Sequence, residues 1–260
     1  MINNFDVAAK TYDFDFTLSK IGQAQRNVVY RNLSAVFKPK KALNILELNC
    51  GTGFDALNFA KSGHIVTATD ISKQMIAVAQ SKKNEHNVKF ATQDITRITT
   101  ASFKTKFDYI FSNFGGFNCL TTSQIETFFK TSAKLLKPKS KITLVIMPKY
   151  CIWEFLYFSL KFQLKKAKRR QTKSYAIANV NGTEVKTWYY NPKQIEALAQ
   201  KQFKINTVKP VGLSIPPSYL EHSIASKPFL LSIFKALDAI FTASFLSKFA
   251  DHYLIELELK

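Results

Sequence analysis

Apolar residues fall along the first 150 positions in two alternating rhythms. Short runs rich in β-branched and aliphatic side chains occupy residues 42–49 (ALNILELN), 64–70 (HIVTATD), 88–94 (VKFATQD), 107–113 (FDYIFSN) and 141–147 (KITLVIM). Each is bounded by turn-forming residues and reads as a strand. Between them, residues 54–62, 72–83 and 123–136 read as helices, with Ser72 placed to cap the second and Pro138 to stop the third. A further helix over 20–37 precedes the first strand. Strand–helix alternation of this kind builds a parallel sheet with helices on both faces.

After Met147 the rhythm changes. Residues 151–164 are very apolar and lead into the basic run Lys165-Lys166-Ala167-Lys168-Arg169-Arg170. Residues 174–190 read as a hairpin turning at Asn181-Gly182. Asn191-Pro192 opens a helix to about 202, with Asn as cap and Pro in the first turn. Residues 204–213 read as a sixth strand, 215–249 as a helical insert, and 252–259 (HYLIELEL) as a half-solvated last strand. The expected organisation is one α/β domain over 1–260. Residues 1–38 form an N-terminal lid and helix, and 151–190 and 214–250 form an inserted cap over the substrate.

Composition narrows the class. Of 260 residues, 46% are apolar and 21% charged, which excludes a disordered chain. Cys50, Cys119 and Cys151 are odd in number, widely spaced and without a CxxC pair. They predict neither a disulfide framework nor a metal site, and they suit a reducing cytoplasm. No basic stretch followed by an apolar one opens the sequence, so no secretory signal is expected. Residues 151–164 are too short to span a bilayer, and 228–249 are interrupted by Lys235, Asp238 and Lys248. Both suit amphipathic helices covering a pocket or lying on a lipid surface. The charge is unusual: 37 Lys and Arg against 18 Asp and Glu, a formal +19. Such a field favours acidic partners, anionic membranes or nucleic acid. Most of the lysines are scattered, however, and only 165–170 form a cluster.

The chemistry concentrates in Ile45-Leu46-Glu47-Leu48-Asn49-Cys50-Gly51-Thr52-Gly53-Phe54-Asp55, where a buried strand turns tightly into a helix. Small residues let the backbone approach a ligand, and the helix N-terminus offers unpaired N–H groups. Gly51-x-Gly53-x-x-Ala56, with Asp70 nineteen residues after Gly51, also satisfies a dinucleotide fingerprint. Three acids separate the two readings. Glu47 lies in the first strand, where a carboxylate is costly unless it meets a ligand or partner. Asp70 ends the second strand, placed to accept from ribose hydroxyls. Asp94 ends the third, placed to accept from an adenine amino group while Ile95 packs on the ring. Three such acids suit a cationic adenosyl ligand better than a pyrophosphate. The plainer alternative is that they cap the helices that follow.

On these residues the chain resembles the class I, Rossmann-like methyltransferases that use S-adenosylmethionine and release S-adenosylhomocysteine, and among them the small-molecule methyltransferases. The resemblance covers most of the chain. The family's acid-x-Gly-x-Gly-x-Gly motif falls on Glu47, Asn49, Gly51 and Gly53, with Asn49 replacing the first glycine. Asn tolerates a positive φ best among non-glycine residues, so the turn is expected to survive. The ribose acid falls on Asp70, with Ile71 beside the adenine, and the adenine-side acid on Asp94. FDYIFSNFGGFNCL resembles the motif beneath the methionine moiety, beginning at Asn113. Phe5-Asp6-x-Ala8-Ala9-x-x-Tyr12-Asp13 resembles the lid helix and puts Tyr12 near the cofactor. The resemblance also implies a seven-stranded, mostly parallel sheet in a three-layer sandwich, its last strand inserted antiparallel at one sheet edge.

Methyl transfer from a sulfonium mainly requires alignment of the nucleophile and exclusion of water. No triad or metal constellation is needed and none is visible, so no catalytic residue is named. His222 is a candidate base should the acceptor carry a proton. Phe16, Phe117, Trp153, Tyr190 and Tyr219 are further candidate substrate contacts, suggesting a small aromatic or lipid-like acceptor. They also suit the cap's own core. A nucleic-acid methyltransferase is the rival, on charge. It lacks support from two motifs: no Asn/Asp-Pro-Pro-aromatic sequence follows the fourth strand, and no cysteine follows a proline. A non-catalytic adenosyl-binding protein is the other alternative. Peripheral contact with an anionic membrane is compatible with the cluster, and the oligomeric state is not readable.

Overall fold

The computed structural model describes residues 5–38, 40–82, 87–180 and 182–260. Ser19 starts the first long helix, its hydroxyl accepting the Gly22 N–H. In place of one helix over 20–37 there are two, α1 (Lys20–Asn32) and α2 (Ser34–Phe37), broken at Leu33. The alternating part follows as β1 (Asn44–Leu48), α3 (Phe54–Lys61), β2 (Ile65–Asp70), α4 (Lys73–Ser81), β3 (Val88–Thr92), β4 (Phe107–Ser112), α5 (Thr122–Leu135) and β5 (Leu136–Ile146). Ser72 caps α4 by accepting the Met75 N–H. Thr121 and Gln124 form a reciprocal capping box on α5. α5 ends at Leu135, and Pro138 follows its C-cap by two residues, as expected of a helix stop. Pro138 also lies inside β5, where the pairing with β4 is irregular between Phe107 and Tyr109, so its missing N–H breaks no ladder.

The second half contains α6 (Ile152–Leu160), α7 (Leu164–Ala167), the antiparallel pair β6 (Ala176–Val180) and β7 (Thr183–Thr187), α8 (Pro192–Ala199), β8 (Phe203–Val211), α9 (Pro228–Ile240) and β9 (His252–Leu259). The helical insert expected over 215–249 is one α-helix, α9, with three short 3-10 turns around it. Asn181 of the expected hairpin turn, Lys83 of the expected helix over 72–83 and residues 1–4 of the expected lid lie outside the described residues.

The seven-stranded sheet runs β3-β2-β1-β4-β5-β9-β8. Only β9 is antiparallel to its neighbours, and it is inserted between β5 and β8. The edge expected for the last strand is therefore held by β8. Period-two alternation divides the core between the two faces of the sheet. Leu46, Leu48, Ile110, Ile142 and Leu144 pack with Phe128 and Phe129 of α5 and Ile195 of α8. Ile45, Tyr109, Phe111, Val145 and Leu254 pack with α1, Phe59 of α3 and Leu231 of α9. Burial of these side chains, each worth about 1.5–3 kcal/mol, is what holds helices on both faces.

The basic run at 165–170 is not one surface cluster. Arg170 is buried, donating to Glu154 Oε2 at 2.9 Å and Asp251 Oδ1 at 2.6 Å, and Arg169 pairs with the other Glu154 oxygen. Glu154 on α6 and Asp251 before β9 are themselves buried, and burying two carboxylates is costly unless cations meet them. The two arginines tie the 151–171 segment to the sheet. Among the described residues no helix is long and apolar enough to cross a membrane.

Candidate functional site

In an open parallel sheet, ligands bind beyond the strand carboxyl ends where the strand order reverses. That point here lies between β1 and β4, and the loops after these strands face one another across it. Asn49, directly after β1, has φ +44, the left-handed conformation expected of it. Its Nδ2 donates to Ser112 Oγ at 2.7 Å. Gly116 in the opposite loop passes so close that a β-carbon there would stand 1.9 Å from Asn49 Nδ2. The first loop is pinned to β2 as well: Gly51 N–H donates to Asp70 Oδ2 at 2.9 Å, and Ser72 N–H to Asp70 Oδ1 at 2.8 Å.

A cavity of about 340 Å³ opens between these loops, large enough for a nucleoside-sized ligand. Of the residues singled out in the sequence, Tyr12, Asn49, Gly51, Asp70, Ile71, Asp94, Ile95 and Asn113 line it. Burial pushes the Asp70 carboxyl above its ordinary range, against the two amide hydrogen bonds that favour its charged form. Burial, with the Asp70 and Asp55 carboxylates nearby, also pushes the Tyr12 hydroxyl up to about 12. Asp94 Oδ1 accepts from Thr96 N–H at 2.8 Å, so this acid does cap the short turn that follows while standing in the wall. The N-terminal segment is tied over the glycine turn, with Asp13 accepting from Thr52 Oγ1 and pairing with Lys82, both at 2.6 Å.

Two expected cofactor contacts stand behind the wall rather than in it. Gly53 begins α3 with φ +76, and a β-carbon there would meet the Phe90 ring at 2.7 Å, so its smallness serves packing. Glu47 is buried beneath the turn, and Oε2 has no hydrogen-bond partner. Burial, with Asp55 and Asp70 close by, drives its carboxyl well above the ordinary range.

The expected substrate contacts scatter. Phe16 packs on Tyr12 and Phe114, next to the cavity. Phe117 and Tyr190 are core residues instead. Phe117 lies edge-on to Phe128, and the Tyr190 hydroxyl donates to the Leu120 carbonyl at 2.5 Å. Trp153 donates to the Ser214 carbonyl and lies edge-on to Phe234, fixing α6 to α9. Tyr219 packs on Tyr157 and Phe158. His222 is exposed. None of these six is among the cavity walls. Aromatic density alone did not distinguish a pocket from a small core.

The sequence reading missed other wall residues, among them Phe5, Met75, Gln93, Gly116 and Gln124. It also missed Arg26 of α1, which is buried between the Phe54 and Phe114 rings at 4.9 and 5.1 Å and pairs with Asp55 at 3.2 Å. Asp55 in turn accepts from Asn113 Nδ2 at 2.9 Å and from Tyr30. This network supports the Asn113-Phe114 corner, where Phe114 has φ +41. The other face of interest at that corner is His252, edge-on to Phe114 at 5.4 Å, with Nδ1 3.2 Å from Asp251 Oδ2. Adjacent Asp251-His252 at the head of the last strand was the only signal for it.

Residues 45–139 match the family described as "Methyltransferase domain". A malonyl-[acyl-carrier protein] O-methyltransferase of Bacillus anthracis is 34% identical over 115 residues, 42% of this chain and 39% of its own length. One from Priestia megaterium is 31% identical over 142 residues, 53% of this chain and 47% of its own. The chain thus spans about two fifths of the length of the first curated relatives it matches. Among solved structures, a S-adenosylmethionine-dependent methyltransferase from Clostridium acetobutylicum superimposes with a TM-score of 0.61 at 15% identity, covering 99% of both chains. A complex of DhpI with S-adenosylhomocysteine gives 0.61 at 15% identity, covering 97% of this chain and 92% of that one. The segment that builds the glycine turn, the Asp70 corner and the Asn113 loop therefore matches a methyltransferase domain, and the chain has the Rossmann-like fold of the class I S-adenosylmethionine-dependent methyltransferases.

Proposed function

We propose that this chain is an S-adenosylmethionine-dependent methyltransferase acting on a small organic acceptor. The observation that carries the reading is electrostatic. The chain holds 37 Lys and Arg, yet the described residues lining the cavity include none, while Asp70 and Asp94 stand in its wall. A pyrophosphate would find no cation there, whereas a cationic adenosyl group finds two acids and the apolar side chains of Ile71, Met75 and Ile95. The residues therefore fit the cofactor.

S-adenosylmethionine supplies, when bound, a methyl group already activated on a sulfonium. The chain's part is to hold, orient and dehydrate. Asp70 would accept from the ribose hydroxyls, since each carboxylate oxygen keeps a lone pair beyond its amide bond. Asp94 would take the adenine amino group, with Ile71 and Ile95 on the ring. The Asn49–Gly51 turn and Asn113 would hold the amino-acid end, under Tyr12. Glu47 and Gly53 serve this site indirectly, by shaping the turn.

Residues 1–38, 151–190 and 214–250 would set the choice of acceptor as lid and cap. The relatives named for malonyl-[acyl-carrier protein] O-methylation support an oxygen acceptor that is small, free or carrier-borne. Where the acceptor carries a proton, His252 is a candidate base beside His222, because it lies edge-on to the wall residue Phe114 with Nδ1 3.2 Å from Asp251 Oδ2. A cytoplasmic setting suits the three free cysteines, two of them buried. Calorimetric titration with S-adenosylhomocysteine, with NAD in parallel, tests the reading. Binding of S-adenosylhomocysteine alone is the expected result, and binding of NAD alone would refute it.

A further inference from the structure

The turn joining α6 to α7 has a composition that neither the fold nor the cavity uses. Leu160, Phe162 and Leu164 are 80%, 92% and 61% exposed, three large apolar side chains within five residues. Soluble surfaces seldom gather such groups unless something covers them. Phe162 also has φ +56. A bulky side chain is disfavoured in the left-handed region, and glycine would occupy it freely. The backbone is thus held in an unfavourable conformation at a residue whose ring makes almost no contact with its own protein. Strain of this kind concentrates at functional sites.

The charges around the turn are of one sign. Lys161, Lys165, Lys166 and Lys168 are exposed, and from residue 155 to 183 the chain has no Asp or Glu. Arg169 and Arg170 turn inward to Glu154 and Asp251, so the arginines fix the base of the projection while the lysines surround its tip. Two of the lysine ammonium groups lie over aromatic rings of α6, Lys161 over Tyr157 at 4.4 Å and Lys166 over Phe158 at 5.8 Å, and Lys161 also donates to the Tyr157 hydroxyl.

From these observations we infer that the α6–α7 turn docks on an anionic phospholipid surface, inserting Leu160, Phe162 and Leu164 among the acyl chains while the lysines meet the headgroups. Apolar tips ringed by lysines suit the boundary between headgroup and hydrocarbon. A second copy of this chain is a poor occupant, since it brings the same basic surface and a formal +19. Nucleic acid offers phosphates for the lysines but nothing for two leucines. α6 follows the carboxyl end of β5, and that edge of the sheet carries the cavity. Docking of the turn would hold the chain at the surface from which a lipid-like acceptor comes. The docking itself does not depend on the proposed activity.

The test is cosedimentation of the full chain with vesicles of phosphatidylcholine alone and vesicles in which part of it is replaced by phosphatidylglycerol. Binding to the second alone, weakened by salt, is expected. Lys161→Gln, Lys165→Gln and Lys166→Gln together should weaken it by about fivefold per lysine. Phe162→Gly is the sharper variant. It relieves the left-handed backbone, so Tm should stay or rise while vesicle binding falls at least tenfold. A fall in Tm with unchanged vesicle binding would show that Phe162 serves the fold, and would overturn the proposal. So would absence of wild-type binding, equal binding to both vesicles, or competition by RNA that Phe162→Gly leaves unaffected. Concentration-dependent dimerisation abolished by the same substitution would assign the turn to a self-contact instead.

Discussion

Gly116→Ala probes the meeting of the two loops on which the cavity depends. Gly116 does not have a positive φ, so alanine introduces no backbone strain and the variant isolates one contact. Its β-carbon would stand 1.9 Å from Asn49 Nδ2 and 2.1 Å from Cγ. The Asn49 side chain must swing away, which breaks its bond to Ser112 and leaves a buried hydroxyl unpaired. That loss is worth about 1–3 kcal/mol. Asn49 and Gly116 both line the cavity, so the displaced amide also enters the space assigned to the cofactor. Asn49→Gly alone loses the same bond but relaxes a left-handed residue, and should cost no more than about 1 kcal/mol. In the double variant the new methyl meets nothing at position 49, so its stability should equal that of Asn49→Gly rather than the sum. Urea denaturation of the four proteins measures this cycle, and S-adenosylhomocysteine titration should show the same rescue. Additive effects would mean that the two loops do not touch in solution, and the cavity geometry would be wrong.

Other variants test the remaining parts. Asp70→Asn sets an amide N–H₂ against the Gly51 or Ser72 N–H, and removes the charge. S-adenosylhomocysteine affinity measured by calorimetry should fall by about 10- to 100-fold, the worth of one charge-assisted hydrogen bond. Arg170→Met leaves Glu154 and Asp251 buried without their shared cation and should cost about 3–5 kcal/mol in denaturant, whereas Lys168→Gln should change stability by less than about 0.5 kcal/mol. Burial raises the Asp251 carboxyl, but His252 and Arg170 outweigh it and hold its pKa well below the ordinary range. A carboxylate with a depressed native pKa contributes stability above its unfolded value near ~4 and loses it below. Thermal melts should therefore fall steeply below about pH 4 for the wild type, and less steeply for Arg170→Met. His252→Gln should leave S-adenosylhomocysteine binding unchanged. It should slow transfer to a hydroxyl acceptor at least tenfold and transfer to a carboxylate hardly at all, as expected for loss of a general base.

What could be read from the sequence follows how local each signal is. The strands of the first half, the Ser72 cap and the positive φ of Asn49 are set by neighbours within a few residues, and they stand where the pattern put them. The cavity-lining residues legible in advance follow strand ends, because a parallel sheet brings its carboxyl ends to one edge whatever the loops do. Glu47 shows the limit. Its burial was legible, but which way a side chain faces on a central strand depends on the layer that covers it, and this one is buried beneath the turn in the field of Arg26, Asp55 and Asp70. The aromatic residues of the second half were less legible still. Phe117, Tyr190 and Trp153 could line a pocket or fill a core, and only the packing of α5, α6 and α9 decides it.

The distribution of charge joins the proposals. A chain with an excess of lysine could carry basic residues into every cleft, yet the described residues of its cavity walls include Asp70 and Asp94 and no Lys or Arg. The arginines nearest the sheet are each matched with carboxylates: Arg26 with Asp55, and Arg170 with Glu154 and Asp251. What remains outside is mostly lysine, with four between 161 and 168 at a turn whose apolar side chains lack cover. An interior suited to a cation and an exterior suited to an anionic surface are opposite demands on one sequence. They are met by pairing the buried arginines with carboxylates and keeping the lysines of the α6–α7 turn exposed, and so the Arg170 and Phe162 variants should fail in different assays.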